Sequence, residues 1–113
     1  MKLIKAYIRH RKIKDVYNAL TNEGYCCMTF VECEGTGIYT DSEKEHISDK
    51  YEFAEAYKVI KLEILISDEQ TEKIVELIRK NGRTGYHGDG MILVSPVDEA
   101  YKIRTDEKGV QVI

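Results

Sequence analysis

Residues 60–82, IKLEILISDEQTEKIVELIRKNG, decide the fold. Leu62, Ile64 and Ile66 alternate with Lys61, Glu63 and Leu65, a period of two that predicts a strand with one buried face. Ser67 follows, with Gln70 three residues on, the pattern of a capping box at a helix start. Ile74, Val75, Leu77 and Ile78 then recur at helical spacing. Gly82 stands where the helix is expected to end. The phrase is strand, helix, glycine.

The same phrase opens the chain. Residues 3–8 read as a first strand, and residues 12–23 carry Ile13, Val16, Tyr17 and Leu20 on one helical face. Gly24 falls at the position where a left-handed residue closes a helix. Residues 27–34, rich in Thr, Phe and Val, read as a second strand. Residues 91–95 read as a fourth, stopping at the only proline, Pro96. The order β-α-β-β-α-β predicts an α+β, ferredoxin-like domain with two helices on one face of a sheet. That architecture hosts many functions and does not by itself name one.

At 113 residues the chain is expected to be a single domain, 1–113. Charged residues make up 33% and the net charge is −3, which argues against nucleic acid as a partner. An RNA-binding sheet would also need several stacking aromatics on its central strands, and the second strand offers only Phe30. No apolar run reaches the length of a membrane span and no signal-peptide pattern opens the chain, so the expectation is a cytoplasmic protein that is not itself a membrane protein. Cys26, Cys27 and Cys33 are odd in number and lack paired spacing, which predicts reduced, buried or half-buried thiols rather than a disulfide framework or a zinc site. His10, His46 and His87 lie far apart, so no metal site is expected. No nucleophile–base pair or spaced carboxylate pair suggests an enzyme.

The connection 36–56 is too long for an ordinary hairpin between strands. It holds Asp41, Glu43, Glu45, Asp49, Glu52 and Glu55 against Lys44 and Lys50. Such a run is expected to be a solvated segment able to order on a ligand or a partner.

Residues 83–105, RTGYHGDGMILVSPVDEAYKIRT, carry the chemistry. Gly85, Gly88 and Gly90 around Asp89 let backbone amides turn toward an anion, and the cations Lys102 and Arg104 could face the same anion. The isolated Gly-Asp-Gly is equally a plain tight turn. The longer phrase Thr84-Gly85-x-x-Gly88-Asp89-Gly90, an apolar strand, Ser95-Pro96-Val97-x-Glu99-Ala100 and Ile103-Arg104-Thr105 resembles the PII nitrogen-signalling family. Met1-Lys2-Leu3-Ile4, Ala19-Leu20, Gly24, Met28-Thr29, Gly35-x-Gly37 and Lys61-Leu62-Glu63-Ile64 extend the resemblance over nearly the whole chain. It is weakest across 38–59.

The resemblance implies a homotrimer with adenine-nucleotide clefts between subunits. It implies a T-loop at about 36–56 that docks on a partner transporter or metabolic enzyme, a B-loop at about 84–91 and a C-terminal loop at about 102–113. Thr29, Gly35, Gly37 and Leu65 would line base and sugar, and Ile38 counts among the nucleotide-binding positions. Gly88, Asp89, Gly90 and Met91 would face the phosphates, with Lys102 and Arg104 from the C-terminal loop. Met91 stands where the family has a phosphate-binding lysine, and Tyr86 replaces another lysine. Lys102 replaces an arginine and loses its bidentate fork. Tyr39 stands where 2-oxoglutarate-binding members have a metal-ligating glutamine, with Ile38 before it instead of arginine. The expected ligand is therefore ADP or ATP, with AMP as a further candidate and with Mg-dependent 2-oxoglutarate binding weak or absent. Tyr51 lies at the modified tyrosine's count, but its neighbours differ. The alternative is a PII-like trimer sensing a small ligand that is not a nucleotide.

Overall fold

The computed structural model describes residues 1–36 and 58–113. The elements are β1 (Lys2–Arg9), α1 (Ile13–Asn22), β2 (Met28–Glu34), β3 (Lys58–Ile66), α2 (Thr71–Gly82) and β4 (Ile92–Pro96). Short 3-10 turns at His10–Lys12 and Asp68–Gln70 lead into the two helices. One sheet runs in the order β2-β3-β1-β4, with every neighbour antiparallel. This is the ferredoxin-like α+β arrangement that the alternation of strands and helices predicts.

Alternation builds the core. Ile4, Ala6 and Ile8 of β1 and Leu62, Ile64 and Ile66 of β3 point to one face, where Val16, Leu20, Ile74 and Ile78 of the helices cover them. Each of these larger side chains contributes on the order of 1.5–3 kcal/mol by leaving water. β1 and β3 are the inner strands, so their alternation is the strictest. β2 and β4 are the edges, and most of their residues are exposed.

One local expectation is corrected. Ser67 makes no side-chain capping bond. Its carbonyl accepts from the Gln70 amide at 3.1 Å, which starts a 3-10 turn instead of the α-helix directly. The Gln70 side chain is turned away, and its Oε1 accepts from the Tyr25 hydroxyl. Gly82 is the last residue of α2, where the helix is expected to end, and the chain leaves it extended at Arg83 with no left-handed residue. Pro96 ends the fourth strand as expected, but from inside it, as its last residue. It pairs opposite Lys2, and the Val97 amide then donates to the Met1 carbonyl at 3.1 Å. A proline is tolerated there because β4 is an edge strand.

Gly24 meets its expectation. Its φ is 90°, the Gly24 amide donates to the Thr21 carbonyl and the Tyr25 amide to the Leu20 carbonyl, both at 3.0 Å. Those two bonds are a Schellman motif. The cysteines depart from theirs: Cys26 and Cys27 are exposed, and only Cys33 is half-buried. They lie at the junction into an edge strand, where the sheet has no further neighbour to bury them.

Candidate functional site

α2 delivers the chain to a tight loop, residues 84–91, that enters β4. Gly85 and Gly88 hold φ of 87° and 99°, a region that side chains with a Cβ rarely occupy. Asp89 organises the loop from within. Its Oδ2 accepts from the Thr84 and Gly85 amides, each at 2.9 Å, and its Oδ1 accepts from the Thr84 hydroxyl. Thr84 Oγ1 in turn accepts from the Tyr86 amide at 3.2 Å. Burial alone would raise the Asp89 carboxyl. The Thr84 hydroxyl, the Gly85 and Thr84 amides and the Arg9 charge outweigh that burial and hold it below the ordinary aspartate value.

β1 clamps the loop from beneath. Arg9 Nη2 donates to the His87 carbonyl at 2.7 Å. A Cβ on Gly88 would fall 2.0 Å from that same Nη2. A Cβ on Gly90 would fall 2.0 Å from the Tyr7 carbonyl oxygen, so Gly90 is where loop backbone lies flat on strand backbone. The next residue locks the register, with the Tyr7 amide donating to the Met91 carbonyl at 3.0 Å. The glycines thus have building duties that their count in the sequence does not reveal. Arg9 and Thr84 carry more of the loop than sequence reasoning assigned them. The Thr84–Asp89 spacing was the signal available for one. Nothing local in the sequence pointed to the other, because Arg9 and His87 meet only through tertiary folding.

The outer side of the loop is open, with Tyr86 74% and Met91 63% exposed. A groove of about 450 Å³ borders it, lined by Tyr7, Arg79, Arg83, Asp89, Gly90 and Met91 among others. That volume lies in the range of small-molecule sites.

The remaining predicted residues lie elsewhere. Gly35 follows β2 near the Arg9 end of the sheet, where Glu34 pairs with Lys58 and Val59 with Arg9. Thr29 is on β2 opposite Glu63, and Leu65 is on β3 opposite Leu3. Both point to the sheet face away from the helices, where Lys61 and Glu63 form an ion pair at 3.3 Å. Lys102 and Arg104 are exposed in the C-terminal segment. That segment folds back on itself through Lys102 amide to Glu107 carbonyl at 3.0 Å and Gly109 amide to Ala100 carbonyl at 2.8 Å. Gly37, Ile38, Tyr39, Tyr51 and nearly all of the predicted loop 36–56 lie outside the described residues.

The chain therefore holds two separate groups. β4 runs from Ile92, opposite Ala6, to Pro96, opposite Lys2, so the C-terminal segment leaves at the end of the sheet far from the 84–91 loop. β2 and β4 are opposite edges, about 14 Å apart at three strand spacings. Among the described residues no cluster of three or more His, Cys, Asp or Glu side chains is placed to hold a metal ion. No described helix is long and apolar enough to cross a membrane.

Fold and loop together define a ferredoxin-like domain whose last strand is entered through a clamped Thr-Gly-x-x-Gly-Asp-Gly turn. The family model for nitrogen regulatory protein P-II matches residues 1–107. A nitrogen regulatory protein P-II of Pyropia yezoensis is 38% identical over 107 residues, covering 95% of each chain. That of Nostoc punctiforme is 35% identical over 113 residues, covering 100% of both. A nitrogen fixation nifHD region GlnB-like protein 1 of Methanobacterium ivanovii is 36% identical over 110 residues, covering 97% of this chain and 100% of its own. The chain belongs to the nitrogen regulatory protein P-II family, whose members are regulators rather than enzymes.

Proposed function

We propose that this protein binds an adenine nucleotide in a cleft completed by a second copy of the chain, and that the bound state controls a partner protein through the segment between β2 and β3. The observation that carries the reading is the preorganised 84–91 loop. It is held by Asp89 within and by Tyr7 and Arg9 beneath. Its distance from Thr29, Leu65, Lys102 and Arg104 supports a site shared between copies, as a homotrimer would supply. Three relatives' worth of full-length similarity supports a role in nitrogen metabolism. The nifHD region in one relative's name favours a nitrogen-metabolism enzyme or a transporter as the partner.

Met91 sets the ligand preference. A lysine there would give the phosphates a charge-assisted bond, worth about 1.5–3 kcal/mol. A thioether gives none, so ATP loses its advantage over ADP and AMP.

Calorimetric titration of the full chain with ATP, ADP and AMP, each with and without Mg and 2-oxoglutarate, tests this. Micromolar ADP or AMP binding indifferent to 2-oxoglutarate is expected. Mg-ATP binding strengthened by 2-oxoglutarate would overturn the reading of Met91 and Tyr39. Failure of every nucleotide would leave a P-II-type sensor of another small ligand.

A further inference from the structure

The junction between α1 and β2 presents a feature that the nucleotide reading does not use. Its chain is anchored on both sides. The Tyr25 amide is held by the Leu20 carbonyl and the Tyr25 hydroxyl by Gln70. From Met28 onward the backbone pairs with β3. Between the anchors lie only Cys26 and Cys27, both exposed. Consecutive side chains in extended backbone point to opposite sides. Here both sulfurs turn to the same side, and the Sγ atoms stand 3.0 Å apart. That is about 1 Å beyond the covalent S–S length.

The contact has an electrostatic consequence. The hydrogen bond to Cys26, then repulsion from Cys26, push the Cys27 thiol above its ordinary value, with the Lys102 charge opposing. Cys27 is thus held as the thiol, and either sulfur can donate in the contact. Cys33 is separate: it lies on β2, with its Sγ directed at the Val31 carbonyl at 3.5 Å.

We infer that Cys26 and Cys27 form a redox-sensitive vicinal pair that a small-molecule disulfide such as oxidised glutathione closes reversibly. The Cys26 thiolate attacks one sulfur of the small disulfide, forming a mixed disulfide and releasing one thiolate. That thiolate takes the Cys27 proton. The Cys27 thiolate then attacks Cys26 Sγ, forming the intrachain S–S bond and expelling the second small molecule as a thiolate, which takes up the proton that Cys26 gave to solvent. Two protein thiols are oxidised, and one small disulfide is reduced to two thiols. The ring so formed spans a single peptide bond. Its strain makes it readily reduced, the behaviour of a regulatory rather than a structural disulfide.

The test is to equilibrate the folded Cys33→Ser protein in glutathione buffers of increasing oxidation, quench with acid and weigh the intact chain. The expected product is lighter by two hydrogens and recovers its mass in dithiothreitol. Cys26→Ser and Cys27→Ser chains, each in the Cys33→Ser background, should instead gain one glutathione. The unmutated chain gives an independent reading: after oxidation, iodoacetamide should label a single cysteine, Cys33. Only glutathione adducts, or a chain that stays reduced throughout, would overturn the pair. So would label on three cysteines of the unmutated chain.

Discussion

Asp89 and Gly90 sit side by side and act by different physics. Asp89 is held by hydrogen bonds to its ionised form, so folding depresses its carboxyl. A depressed acid adds stability above its unfolded value of about 3.9, and loses that contribution as pH falls through the lower folded value. The amide resonances of Thr84 and Gly85, which donate to Asp89, should therefore shift together at a pH below the ordinary aspartate range. Midpoints at or above about 3.9 would contradict the inward-facing carboxylate. Gly90 is a matter of space. An added Cβ would meet the Tyr7 carbonyl, and backbone cannot step aside. Gly90→Ala is expected to cost about 3 kcal/mol in urea unfolding, the upper end of overpacking penalties. Gly24→Ala offers the contrast. Nothing lies within 4 Å of its Cβ position, so only the left-handed backbone is strained, at about 1 kcal/mol. A ranking with Gly24→Ala the more harmful would reverse both assignments.

Among the elements, α2 shows how a sequence signature can be right about place and wrong about mechanism. Ser67 and Gln70 mark the helix start correctly, yet no side-chain cap forms. The Gln70 amide group is used across the fold by Tyr25, a bond between residues 45 positions apart that local pattern cannot foresee. Ser67→Ala should accordingly change stability by less than about 0.5 kcal/mol. A loss near 1 kcal/mol, typical of a working cap, would show that the hydroxyl caps the helix in solution. The strands divide on the same principle. β1 and β3 were legible because each buries one face completely, so every second residue is apolar. β2 and β4 impose less pattern, because most of their residues are exposed and an edge strand can take Pro96 as its last member, yet their limits fall within one residue of those read from the sequence.

For the whole molecule, sheet order is what turns a list of residues into two separated groups. The Gly-Asp-Gly turn was legible as a turn, and its resemblance gave it a ligand. Its separation from Thr29 was not legible, since it depends on β2 and β4 lying at opposite edges, nor was that from Leu65, Lys102 and Arg104, which depends on the register along β1. If the nucleotide is bound between copies, damage to the two half-sites must complement. Met91→Glu places an acid beside the expected phosphates at a position already 63% exposed, so the fold is spared. Arg104→Glu does the same to the C-terminal segment, also exposed. Each variant alone should lose nucleotide binding. Co-refolded in equal amounts, they form mixed oligomers in which a site needs an intact 84–91 loop from one chain and an intact Arg104 from its neighbour. Each requirement is met half the time, so about one quarter of the sites should bind with unaltered affinity. If the whole site lay within one chain, every chain in the mixture would still carry a lesion and no binding would return.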